Sequence, residues 1–369
     1  MPAHRTLTRP SMSLLTLAAL LFAALPARAQ DAPPLPAEAV NENVAVAIWL
    51  DAAQFTPDAV RAAAERLNDE LPEQQRANAQ QLDQRLDESL ADFEQMHAAL
   101  TGAGVEGALV LVQTTANDAE PAPDPAVLLR TTADTTAEDL RNAIQQVDQA
   151  QPEQPSDFAR YGDRWFIDAE QQGNIPTDGT DEQANQVREL FGRTDNTPVR
   201  LAFRMTPNLK QQLQQQAEAA AGGLGADLVN AAQALSDGWA SLSFGNNPNF
   251  TPNLRFDTAG DAEQFNTAWN DLLAQLQQQL VQFSQMMNDP NNPQQNQIKP
   301  EAIQGIVDAL RLQQAENTLT GEIGGQFIAH AGELGPLLQQ MAMMMMMGGQ
   351  QGGMGGPGPA PQPQGPPRN

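Results

Sequence analysis

The sequence predicts an α+β protein made of two tandem ferredoxin-like units, each running strand, helix, strand, strand, helix, strand. Three observations lead there. Two runs, "VAVAIWLD" at 44–51 and "VRLAFRM" at 199–205, alternate with the period of two that marks a strand. Each run is followed by helical stripes and strand-like runs in a similar order. "LRTTADTTAEDL" at 129–140 also aligns without a gap to "LRFDTAGDAEQF" at 254–265, sharing Leu-Arg, an acidic turn, a capping position and an apolar anchor. In this split βαβ order the helices cover one face of an antiparallel sheet, because each strand offers one apolar face and each helix one stripe.

The first unit, 44–195, opens with a strand whose Val44, Val46, Ile48 and Leu50 share one face and Ala45, Ala47 and Trp49 the other. Thr56 caps a helix with Pro57 at its first position, where a missing N–H costs nothing. Its stripe is Val60, Ala64, Leu67 and Leu71; a second helix carries Leu82, Leu86, Leu90, Phe93 and Leu100 and ends at Gly102 and Gly104. "GALVLVQ" and "AVLLRT" read as strands. A helix capped by Thr136 follows, with Leu140, Ile144 and Val147 inward, and "FARYGDRWFIDA" closes the unit as a hairpin about Gly162 and Asp163.

The second unit, 196–338, places Val199, Leu201, Phe203 and Met205 inward and Arg200 and Arg204 outward. A Gln-rich helical stretch from Pro207 to Leu235 leads to the strands "WASLSFG" and "NLRFD". Asp261 is the expected cap of a long helix with Phe265, Trp269, Leu272, Leu276, Leu280 and Phe283 on its stripe, broken by "NDPNNPQQN" before a shorter helix from Pro300 to Leu312. "TLTGEIGGQFIAH" supplies the closing strands. The remaining sheet faces carry Trp49, Arg130, Arg200 and Arg204, and in a tandem pair they face one another or line a groove.

The ends are of another character. Arg5 and Arg9, the apolar run from Leu14 to Leu25, and Ala27-Arg28-Ala29 read as a secretory signal over residues 1–29 with cleavage after Ala29. That run is too short to span a bilayer, and no later run is long enough. A periplasmic or secreted location follows, with no membrane insertion after cleavage. Residues 30–43, "QDAPPLPAEAVNEN", read as a Pro-rich disordered linker.

Composition excludes several classes. The chain has no cysteine, so disulfides and thiolate catalysis are out. Its net charge is −25, and loss of the three arginines of the signal takes it to −28. Such a field repels phosphates, so nucleic acid is not an expected partner; a protein or small-molecule partner is left open.

A signal, an opening strand like "VAVAIWLD" followed by an amphipathic helix, duplicated α+β halves and a low-complexity tail together resemble families of uncharacterised exported bacterial proteins, over roughly residues 44–338. The resemblance implies no catalytic residues.

The residues themselves point the same way. Beyond the signal there are two histidines, His97 and His330, each without a second histidine near it in sequence. His97 follows Phe93 on a helix face and reads as the polar edge of a packed stripe; His330 ends the last expected strand. No G-x-S-x-G occurs, and "AGGLGA" at 221–226 lacks the lysine of a phosphate loop. "IPTDGTDEQ" sets Asp178, Asp181 and Glu182 about Gly179, a partial calcium-loop pattern that a turn and helix cap explain equally. Trp49, Trp165, Trp239 and Trp269 read as core or sheet-face residues, with ligand stacking an alternative for Trp49.

The C-terminal segment 339–369 holds "MAMMMMMGGQQGGMGG" at 341–356, seven of the 13 methionines. Thioether sulfur suits Cu(I), which makes Met341, Met343, Met344, Met345, Met346 and Met347 candidate soft-metal ligands. Against that, Pro336 starts a plausible helix whose Leu337, Leu338, Met341 and Met345 continue one stripe, and the Gly/Pro/Gln-rich remainder cannot bury enough surface to order itself. The expectation is a non-catalytic exported binding or structural component needing no cofactor, with copper handling as the alternative.

Overall fold

The computed structural model describes residues 35–70, 73–114, 123–147, 157–175, 178–195, 197–219, 226–244, 248–287, 300–325, 327 and 330. Within them the chain is mixed α and β around a single antiparallel sheet of ten strands. The strands are β1 (Val44–Asp51), β2 (Val105–Gln113), β3 (Ala126–Thr131), β4 (Phe158–Tyr161), β5 (Trp165–Asp168), β6 (Val199–Arg204), β7 (Leu235–Ser243), β8 (Asn249–Phe256), β9 (Gln313–Ala315) and β10 (Thr318–Thr320). Their order across the sheet is β4-β5-β3-β2-β1-β6-β7-β8-β10-β9. The helices are α1 (Pro57–Glu70), α2 (Glu73–Gly102), α3 (Ala137–Val147), α4 (Asp181–Gly192), α5 (Pro207–Ala219), α6 (Ala226–Ala232), α7 (Ala259–Met287) and α8 (Pro300–Ala309).

The strand order departs from the ferredoxin-like arrangement. A split βαβ opening needs β1 and β2 parallel with another strand between them, yet they are direct antiparallel neighbours, Trp49 opposite Leu109 and Ile48 opposite Val110. The reason is the number of helices between them. One helix returns the chain to the start of β1, so the next strand runs parallel; the two helices α1 and α2 return it to the end of β1, so β2 runs back. The split pattern occurs further along, where the single helix α3 makes β3 and β4 parallel with β5 inserted between them.

The central pair joins the halves. β1 and β6 run antiparallel with Ala47 opposite Ala202 and Trp49 opposite Arg200, so the sheet is continuous from one half into the other. On either side the same sequence of pairings recurs. Both β2 and β7 carry a register shift at their first residues, between Val105 and Gly107 and between Leu235 and Asp237. Arg130 and Arg255 take the next place on β3 and β8. The turn that follows is three residues shorter in the second half, which moves the helix cap. Thr136 Oγ1 accepts from Asp139 N at 3.2 Å, and Thr258 Oγ1, not Asp261, accepts the matching bond from Asp261 N at 3.2 Å. Asp139 closes a capping box by accepting from Thr136 N at 2.9 Å, whereas Asp261 accepts from the Thr258 hydroxyl at 2.6 Å.

Helices cover one whole face. α1 and α2 bury Phe55, Ala59, Val60, Ala63 and Leu90 against Leu242 and Phe244 of the second half. α3 buries Leu140 against Val105 and Phe166, and α6 with α7 buries Ala231, Ala262 and Phe265 against Leu235, Phe256 and Leu319. α8 packs Ala302, Ile303 and Ile306 onto Leu280 of α7.

Among the described residues the opposite face is roofed over the first half and the adjoining strand β6. α4 packs Ala184, Val187, Leu190 and Phe191 onto Ala47, Trp49, Leu109, Leu111, Leu128 and Ala202. Residues 35–43, part of the expected disordered lead-in, form a buried strap beside it that includes a 3-10 turn at Ala37–Ala39. Leu35, Ala39 and Val40 are buried, Arg188 donates to the Leu35 carbonyl at 3.1 Å and Asn41 to Asp178 at 3.0 Å. Proline-rich composition argues against a helix or strand there, but five anchored side chains and a few hydrogen bonds hold an irregular segment as well. This roof also reverses an expectation about β1 and β6. Trp49 is 4% exposed and Arg200 3%, whereas Val46, Ile48, Leu50 and Leu201 on the expected inward face are half-buried.

Candidate functional site

Equivalent positions on the two halves of this second face differ in chemistry at five of six places. Register places Leu109 and Trp239 at one position, Leu111 and Ser241 at the next, Ala126 and Thr251, Leu128 and Asn253, Ile167 and Thr320, and Trp165 and Thr318 at the others. The first-half members lie in the core under α4. On the second half, β8 and β10 present Asn249, Thr251, Asn253, Thr318 and Thr320, all half-buried, and β9 adds the exposed Gln313. Among the described residues the buried apolar clusters include nothing from this face of β7 to β10 but Trp239 at its margin.

The polar side chains hold one another in place. Thr320 Oγ1 donates to Asn253 Oδ1 at 2.8 Å, Asn253 Nδ2 to the Thr251 carbonyl at 3.3 Å, and Asn249 Nδ2 to Glu322 Oε1 at 3.1 Å. One end of the face is bounded by charge. Arg255 Nε donates to Asp237 Oδ1 at 2.8 Å, and the Arg193 guanidinium lies 5.2 Å from the centre of the Trp239 ring. Glu189, bonded to Arg193 at 2.6 Å, is held below the usual carboxylate range by that hydrogen bond and charge. At the other end the face runs into a cavity of about 870 Å³ between the ends of β7, β8 and β10 and the C-terminal end of α8.

A second charged group lies at the edge of the roofed half. Asp51 is 4% exposed and accepts from Ala53 N at 3.0 Å and from Gln54 Nε2 at 3.1 Å, fixing the turn into α1. Glu106 bridges Arg164 at 2.6 Å and Arg130 at 3.4 Å. Burial lowers the pKa of Arg130 and of Arg200, and Glu106 and Asp51 respectively work against that shift. These pairs close on each other and on the backbone, which is the chemistry of a structural joint.

The sequence-based candidates fall elsewhere. His97 Nε2 lies 2.8 Å from the Ala52 carbonyl and its ring packs on Phe93, tying α2 to the turn after β1. His330 is helical, not the end of a strand, and its ring lies against Gly305 of α8. Asp178 accepts from Asn41, and Thr180 with Gln183 forms the capping box of α4, so the acidic loop serves as strap anchor and cap. Trp49 lies in the core under α4. Ala27, Ala29 and Met341 to Met347 lie outside the described residues. Among the described residues no three histidine, aspartate or glutamate side chains group as metal ligands, and no helix is long and apolar enough to cross a membrane.

The sequence points to exposed sheet faces or a groove between the halves as the binding surface, marked by Trp49, Arg130, Arg200 and Arg204, and singles out none of the residues of this polar face. A signal for it exists: β8 alternates Asn249, Thr251, Asn253 and Arg255 with Phe250, Pro252, Leu254 and Phe256, while its counterpart "AVLLRT" is apolar on both sides. No protein-family model, curated protein or solved structure matches this chain.

Proposed function

We propose that this chain is an exported, non-catalytic binding protein, that its two halves are copies of one unit, and that the open polar face of the second half is its recognition surface. The unit runs strand, helix pair, strand, strand, helix, strand, strand. Matching register shifts, the shared Leu-Arg of β3 and β8, and the threonine caps at Thr136 and Thr258 support common descent of the halves. The observation that carries the binding reading is the contrast at four of these positions: copies of one sheet face have diverged to Ala126, Leu128, Trp165 and Ile167 where α4 covers it and to Thr251, Asn253, Thr318 and Thr320 where nothing described does. A pre-bonded array of hydroxyls and amides on a rigid sheet presents donors and acceptors without an ordering cost, which suits recognition of a polar partner.

Absence of cysteine makes the test direct. Asn253→Cys and, as control, Asp92→Cys on the exposed side of α2 are labelled with a photo-crosslinker and exposed to extract of the source organism. Discrete products from position 253 that position 92 does not give are expected. Identical patterns from both positions remove the face as the recognition surface.

A further inference from the structure

We propose that the cavity at the end of the open face is a site for a short neutral saccharide; this rests on the reading of that face as a recognition surface and names its ligand class. Four features of the cavity lead there.

The first is an acceptor in want of a donor. Asn249 donates through Nδ2 to Glu322 at 3.1 Å and to Thr251 Oγ1 at 3.4 Å. A carboxylate only accepts, so the amide cannot turn over without setting Oδ1 against it. Oδ1 is thereby fixed toward the interior, enclosed, and without a hydrogen-bond partner among the described residues. An enclosed acceptor without a partner costs about 1–3 kcal/mol, which a ligand hydroxyl recovers where the groups enclosing Oδ1 give way to it.

Charge is the second feature. Arg311 and Asp308 on the cavity wall are paired at 3.4 Å, which leaves the Glu322 carboxylate as the uncompensated charge. One negative group in a chain of net charge −25 opposes phosphates and carboxylates. A neutral ligand meets no such penalty.

Third, the polar lining is bifunctional. Ser243, Thr251 and Thr320 hydroxyls both donate and accept, as sugar hydroxyls do, while Phe327 supplies an apolar wall for the C–H face of a sugar ring. Fourth, the space of about 870 Å³ lies at the upper end of small-molecule sites and continues onto the hydroxyl and amide rows of β8 and β10.

The test is saturation-transfer NMR on the full chain with maltose, cellobiose, lactose and diacetylchitobiose, beside glucose 6-phosphate and glucuronate. Transfer to at least one neutral disaccharide is expected, with none to the two acids, and affinity falling tenfold or more in Asn249→Leu and in Thr320→Val. Thermal melts separate loss of the site from loss of the fold; if Asn249→Leu does not fold, Thr320→Val carries the comparison. No transfer to any neutral member overturns the assignment, as does transfer unchanged in the folded variants or confined to the acids. Site-specific crosslinks at position 253 alongside a negative saccharide panel would leave the open face as a recognition surface and remove this ligand class alone.

Discussion

The indole of Trp49 occupies the space above Gly107. A Cβ at Gly107 would stand 2.3 Å from Trp49 Cη2, 2.4 Å from Cζ2 and 2.5 Å from the Leu50 carbonyl oxygen. The ring crosses diagonally over the glycine to meet Trp165 edge-on, with centroids 6.2 Å apart.

Gly107→Ala therefore forces the indole out of its place or the strands apart. Overpacking of this kind costs about 1–3 kcal/mol, and the backbone contact puts this case at the upper end. Chemical denaturation is expected to show the loss together with a red shift of tryptophan emission. An unchanged midpoint and spectrum would contradict the packing of Trp49.

Exchanging residues across the two halves tests the asymmetry of the second face. Leu128 is fully buried, so Leu128→Asn loses its apolar burial and leaves an amide under α4, a cost of roughly 3 kcal/mol or more. Asn253→Leu at the equivalent place loses two hydrogen bonds at a half-buried site and should cost about 1 kcal/mol. Equal costs from urea melts would mean that the second half is roofed as well.

Gly179 fits under three carbonyls of the strap. A Cβ there would lie 2.3 Å from the Ala37 oxygen and 2.7 Å from those of Glu38 and Val40, while its N–H donates to the Glu38 carbonyl at 3.2 Å. Gly179→Ala should release residues 35–43, with protease cleavage before β1 as the readout. Resistance equal to the parent chain would show that the strap is held without this contact.

Tyr161 is the single tyrosine, so its titration can be followed by phenolate absorbance without overlap from another. Burial, with a smaller contribution from Glu38, raises its pKa to about 12. A folded-state value above the unfolded one near 10 means the stabilisation is complete below pH 10 and is lost as pH rises toward 12. Tyr161→Phe is expected to flatten the fall in stability over that window. A tyrosine titrating near 10 in the folded chain would refute the burial.

Much of the local structure was legible. Thr56, Thr136, Pro57 and the hairpin at Gly162, which has φ +67°, act through neighbours in sequence, and their patterns name them. The cap at Thr258 was missed by three residues because an ungapped match cannot see a shortened turn. The candidate face was missed because the meaning of a polar row depends on what lies above it: "NFTPNLRF" shows its Thr and Asn plainly, but an uncovered face and a turn-rich edge strand look the same in one chain.

Periodicity and caps alone therefore determine where this chain makes most of its strands and helices, since those choices are settled over a few residues by backbone geometry and local hydrogen bonds. Tertiary structure decided the rest. The pair α1 and α2 turned β2 against β1, pairing of β1 with β6 merged two expected sheets into one, and the placement of α4 and the 35–43 strap buried Trp49 and Arg200 while Asn253 is uncovered by either. Each of these depends on burial between segments far apart in the chain, a free energy that no single segment carries.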